Sequence, residues 1–224
     1  MPMIEFSGNG KPYEGYLAPA KDGKGPGVIV IQEWWGLVGH IKSVADRFAE
    51  AGFTALAPDF YHGVQTTEPD EAGSMLMALN IGDAEKVIQG AVQALIDHDA
   101  SAGEKVGVVG FCMGGQLSMF AACINPRIGA CVNFYGVHPN VHPDFAKLQG
   151  PMLGFFGAED HITTADVVEA LDEQLTEAGK EHEFHRMAGV GHAFFNDDRP
   201  EVYNQEAAEF AWNRMIEFFR TNLS

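Results

Sequence analysis

Basic residues are scarce in this chain: 14 Lys and Arg stand against 31 Asp and Glu, for a formal charge of −17. Such a field repels nucleic acid and anionic membrane surfaces, and no basic stripe offsets it, so neither is expected as a partner. No apolar run approaches the roughly 20 residues of a membrane span. The opening MPMIEFSGNGKPY lacks the basic flank and apolar stretch of a secretory signal, which sets the expectation of a cytoplasmic protein. Cysteine is scarce too, with 3 in the chain. If one helix joins Cys112 to Cys123, they lie about 16 Å apart, too far for a disulfide. There is no CxxC and no Cys/His cluster at zinc spacing, so no metal site is expected, and nothing implies an organic cofactor. Cys123, and Cys131 in the run GACVNF, read as small buried hydrophobes.

What is present is a globular composition, 46% apolar over 224 residues. That length fits one domain over 1–224 with a substantial core. MIEF and EGYLAPA, separated by GNGKP, suggest an antiparallel pair. GVIVIQ, FTALAP, KVGVV, IGACVNFYG and PMLGFFG are apolar runs suited to strands buried on both faces, and EFHRM is a further strand. Between them, Ile41, Val44, Ala45, Phe48 and Ala49 recur at helical spacing, as do Ala84, Val87, Ile88, Ala91 and Leu95. Val167, Val168, Leu171 and Leu175 stripe another helix, with Thr163 or Thr164 placed to cap it. A closing helix is expected from about Pro200. This alternation predicts an α/β fold, a mostly parallel central sheet with helices on both faces.

In such a sheet, chemistry collects at the carboxyl ends of the strands. Glu33, Cys112, Asp160 and His192 all fall there. The stretch GFCMGG, residues 110–115, fits the nucleophile-elbow pattern, with Cys112 in the usual Ser position between a buried strand and a helix. The turn is too sharp for side chains at the flanking glycines, and it sets the sulfur at a helix N-terminus, where the helix dipole favours a thiolate. His192, in GVGHAFF, is placed to act as general base and acid. His62, His138, His142 and His161 rival it by position; chain order, nucleophile then acid then histidine, singles it out. Asp160 fills the middle place, with Glu159 as competitor. The backbone N–H groups of Met113 and Trp34 are candidates for an oxyanion hole.

QEWWGL, GFCMGG, GAEDHI and GVGHAFFND, in that order, resemble the dienelactone hydrolase (carboxymethylenebutenolidase) family of the α/β-hydrolase fold, over essentially the whole chain. The resemblance implies Cys112 as nucleophile, Asp160 and His192 as its partners, and Glu33 as a switch that meets the resting thiol and helps form thiolate when substrate enters. Tyr135 matches a site-lining position, and Trp35, Phe194, Asn196 and Arg199 are expected beside it. The chain also departs from the pattern. Family members acting on dienelactone hold its carboxylate with arginines, one of them four residues after the histidine, where this chain has Asn196. No Arg occurs between Arg47 and Arg127 to supply the other; Arg199 is a candidate replacement. The expected activity is hydrolysis of a lactone or small carboxylic ester through an acyl-thioester on Cys112, by a monomer or small homo-oligomer. The alternatives are a broad carboxylesterase for neutral esters, a non-catalytic ligand-binding relative, and a redox-sensing thiol.

Overall fold

A computed structural model describes residues 2–223. Eight strands form one sheet: β1 (Met3–Gly8), β2 (Lys11–Ala18), β3 (Gly25–Ile31), β4 (Thr54–Pro58), β5 (Ser101–Phe111), β6 (Ile128–Phe134), β7 (Met152–Gly157) and β8 (His182–Met187). Their order across the sheet is β1-β2-β4-β3-β5-β6-β7-β8. The β1–β2 and β2–β4 pairs are antiparallel, and every pair from β4 to β8 is parallel. The opening hairpin turns through Asn9 and Gly10, both at positive φ (51° and 79°), as a tight hairpin turn requires. The expected α/β architecture is the observed one.

Six helices accompany the sheet: α1 (Gly39–Glu50), α2 (Pro69–Ala78), α3 (Ile81–Asp97), α4 (Met113–Ile124), α5 (Ala165–Glu177) and α6 (Gln205–Asn222). Helices α1 and α6 bury Ile41, Phe48, Met215 and Phe219 against one face of the sheet. Helices α3, α4 and α5 bury Val87, Leu95, Leu117 and Leu175 on the other. The sheet centre is therefore dry on both sides, which is why β3, β4, β6 and β7 read as continuous apolar runs.

Three local expectations need correcting. The closing helix starts at Gln205, not near Pro200, because Asn204 caps it: its side chain accepts from the Ala207 N–H, while its own N–H is drawn to the Phe194 carbonyl. Neither threonine caps α5 through its side chain: Thr164 Oγ1 turns to Asp166 at 2.5 Å, and Thr163 Oγ1 bonds Asp160. Val168 and Leu175 of the predicted stripe are buried, but Val167 is exposed, since α5 presents a narrow face to the sheet. Helix α2 was not anticipated; it buries only Ala72, so its apolar pattern carries no clear period.

Candidate active site

Cys112 connects β5 to α4 at φ 54° and ψ −117°, a conformation that few L-residues adopt. The turn is held by its backbone. The Cys112 N–H donates to Phe134 O, and its carbonyl accepts from the N–H groups of Gly115 and Val137. The glycines follow from contact. A Cβ on Gly110 would lie 1.8 Å from the Gly114 carbonyl oxygen, and one on Gly114 would lie 2.4 Å from the carbonyl oxygens of Ile31 and Gln32. Gly114 thus lets the start of α4 touch the end of β3, and that contact brings the Glu33–Trp35 loop beside the sulfur. Tyr135 (φ 41°) and Ala193 (φ 62°) share the positive-φ region, so three of the five non-glycine residues of this kind among those described surround one place. Backbone strain of this sort persists where the surroundings over-determine it.

Asp160 leaves the end of β7 and His192 leaves the loop after β8. Asp160 Oδ2 lies 2.7 Å from His192 Nδ1. The remaining acceptor capacity of the carboxylate is taken by the N–H groups of Ile162 (2.7 Å) and Thr163 (3.1 Å) and by the Thr163 hydroxyl. Burial pushes the Asp160 pKa up, but the bonds from His192, Thr163 and Ile162 outweigh it and hold it down at about 2. For His192, burial opposes the charged form. The Asp160 hydrogen bond and the neighbouring Cys112 sulfur overcome that and raise it to about 10. With Nδ1 committed to the carboxylate, Nε2 is buried and has no hydrogen-bond partner of good geometry. An imidazole so placed can carry a proton between a thiol and a departing group.

Glu33 is 1% exposed, and its Oε2 accepts from Asn196 Nδ2 at 2.7 Å, leaving Oε1 buried and unpartnered. The Tyr135 hydroxyl is likewise buried without a good partner; burial and the nearby Glu33 and Cys112 push its pKa well up. The Tyr135 ring lies under the imidazole, with centroids 5.0 Å apart.

A cavity of about 440 Å³ opens over the sulfur, lined by Cys112, His192, Glu33 and Arg199 within walls that include Trp34, Trp35, Leu76, Val137, Ile162 and Val202. Arg199 is held at the edge: its Nε and Nη2 each lie 2.9 Å from Glu201 Oε1, and its guanidinium sits 5.4 Å from the Trp35 ring centroid.

The dienelactone hydrolase family profile matches residues 13–223. This chain belongs to the dienelactone hydrolase family. Protein usf of Aquifex pyrophilus is 37% identical, with 99% of each chain covered. The "Putative carboxymethylenebutenolidase" of Aquifex aeolicus is 33% identical over 99% of this chain and 98% of its own. The solved "Putative Dienelactone Hydrolase" of Klebsiella pneumoniae is 28% identical, superposes with a TM-score of 0.83 and covers 98% of both chains. The family assigns the chain as an ester or lactone hydrolase on the α/β-hydrolase fold.

Within this family member, the four strand-end residues singled out from sequence converge: Cys112, His192 and Glu33 on one cavity, Asp160 behind the imidazole. Glu159 is exposed, and the carboxylate bonded to His192 is that of Asp160. The rival histidines lie elsewhere. His62 pairs with Asp83, His138 with the Leu76 carbonyl, His142 lines a separate cavity beside Phe145, and His161 lines a neighbouring cleft that Asp160 and His192 also border but Cys112 does not. Trp35 and Arg199 are on the cavity wall. Tyr135, Phe194 and Asn196 do not present a surface to it: at 0%, 0% and 2% exposure they lie behind its wall, because the turn after His192 folds inward to reach Glu33 and the core. Cys123 and Cys131 are free and buried, and burial raises their thiols to about 11 and about 12. Sequence reading missed Thr163, Leu76 of α2, and a buried His40 whose Nδ1 lies 2.9 Å from Asp197 Oδ1. A threonine three residues past a strand-end Asp was the one legible signal, and it had been read as a cap.

Proposed function

We propose that the protein hydrolyses a carboxylic ester or lactone through an acyl-thioester on Cys112. His192 takes the thiol proton at Nε2 and the sulfur attacks the carbonyl carbon. The tetrahedral oxyanion is received by the N–H of Met113, an otherwise unsatisfied donor at the first position of α4, and by the N–H of Trp34 on the cavity wall. The C–O bond breaks, and the departing alkoxide takes the proton from His192. Water then loses a proton to His192 and attacks the thioester; the sulfur leaves, the proton returns to it, and the carboxylic acid is released. Asp160 holds the imidazole tautomer and stabilises its charged form. Glu33, buried beside the sulfur with one oxygen unpartnered, disfavours a free thiolate by like-charge repulsion and so keeps the resting Cys112 protonated until substrate enters.

The observation that carries this reading is the convergence of the elbow sulfur and an Asp160-bonded imidazole on one largely apolar cavity. Intact-mass spectrometry after rapid quenching with a slowly hydrolysed ester tests it. An acyl adduct on Cys112, absent in Cys112→Ala, is the expected result; turnover that survives Cys112→Ala overturns it.

A further inference from the structure

We infer that the substrate is an uncharged ester with an apolar acyl group, and that the Arg199–Glu201 pair together with Asn196 sets this preference. The inference rests on the ester-hydrolase reading above and specifies its substrate class.

The cavity walls come first. Around Cys112 they are formed by Trp34, Leu76, Val137 and Val202, which offer an acyl chain apolar contact; the side chains of Leu76, Val137 and Val202 offer a carboxylate no compensating hydrogen bond. Moving a charged group from water into such walls is unfavourable unless a cation receives it.

Besides the His192 imidazole, which is bonded to Asp160, the cationic side chain on that wall is Arg199, and two of its three nitrogens are already engaged. Nε and Nη2 both point to Glu201 Oε1, and the guanidinium plane leans on Trp35. An anionic substrate must compete with Glu201 for this partner. Deeper in, the acidic Glu33 has a neutral amide, Asn196 Nδ2, as its partner rather than a guanidinium. A second carboxylate near the sulfur would therefore face Glu33, whose partner is neutral, beside a His192 charge that Asp160 already balances, inside a chain of net charge −17. Arg199 and Glu201 are 35% and 60% exposed, so water and salt screen their pairing; removing Glu201 frees Arg199 without dismantling the fold.

The test compares p-nitrophenyl valerate with mono-p-nitrophenyl glutarate, esters of equal acyl length that differ by a terminal carboxylate, each measured above the Cys112→Ala background. The wild type is expected to favour the valerate at least about tenfold in kcat/KM. Glu201→Gln is expected to raise the glutarate-to-valerate ratio about three- to tenfold, through a lower KM for the glutarate, and added salt should shrink that gain. Turnover that favours the glutarate in the wild type overturns the inference while leaving the hydrolase reading intact. A folded Glu201→Gln variant with an unchanged ratio overturns the role given to the pair. Failure to hydrolyse either ester overturns the hydrolase reading and this inference with it.

Discussion

Asn196 Nδ2 reaches across 163 residues of sequence to lie 2.7 Å from Glu33 Oε2. This bond joins the loop after β3 to the loop after β8, so the acidic side chain beside the sulfur and the histidine segment are located by one amide. Asn196 Oδ1 accepts in turn from the Asp198 N–H, which fixes the amide's orientation.

Asn196→Ala leaves both Glu33 oxygens buried without a donor, which costs about 1–3 kcal/mol. In a Glu33→Leu background the same substitution has little left to break. Urea unfolding of the four proteins in a double-mutant cycle should give a coupling of about 1 kcal/mol or more. Additivity within error would show that the bond does not contribute.

Gly114→Ala places a Cβ 2.4 Å from the carbonyl oxygens of Ile31, the last residue of β3, and Gln32, the next one, so α4 must shift away from the end of β3. The expected loss is about 1–3 kcal/mol, typical of overpacking. Activity should fall more than stability alone explains, because that contact sets the Glu33–Trp35 loop against Cys112. Chemical denaturation together with kcat/KM on a neutral ester checks both.

The Asp160–His192 pair links stability to pH at both ends. His192 is raised to about 10, so its contribution is complete below the usual histidine range near 6.5 and is lost as pH climbs toward 10. Asp160 is lowered to about 2, so its contribution is complete above the usual aspartate range and is lost as pH falls toward 2. Relative to an Asp160→Asn/His192→Gln double variant, wild-type stability should peak between about pH 4 and 6.5 and decline on either side. Denaturant midpoints at pH 3, 5 and 9 measure this; a constant difference between the two proteins would contradict it.

His40 is fully buried between Phe111 and Phe195 and bonds Asp197 on the histidine-bearing segment. Asp197→Ala should cost about 0.5–1.5 kcal/mol and speed amide exchange over residues 193–199, while exchange in β5 and α4 stays slow. Hydrogen-exchange mass spectrometry reads this directly.

The α/β class, the strand-end positions of Glu33, Cys112, Asp160 and His192 and the sharp turn at Cys112 were legible in the chain because each is written locally. Buried strands are continuous apolar runs, helices carry a 3.6-residue stripe, and a sharp turn demands glycine where backbones collide. Chain order then singled out His192 and Asp160 among their rivals. Other features could not be read this way. Asn196 looked like a wall residue and proved to be the donor to Glu33; Thr163 looked like a helix cap and bonds Asp160; α2 has too weak a stripe to announce itself, yet carries Leu76 to the cavity. The Asn196 bond and the place of Leu76 depend on which distant segment a side chain meets, and the Thr163 bond depends on the turn after Asp160; a hydrogen bond leaves no periodic mark in sequence. Local sterics and hydrophobic periodicity specify the elements and the elbow. The pairing of Glu33 with Asn196, His40 with Asp197 and Arg199 with Trp35 exists only once the folded sheet brings its loops to one rim.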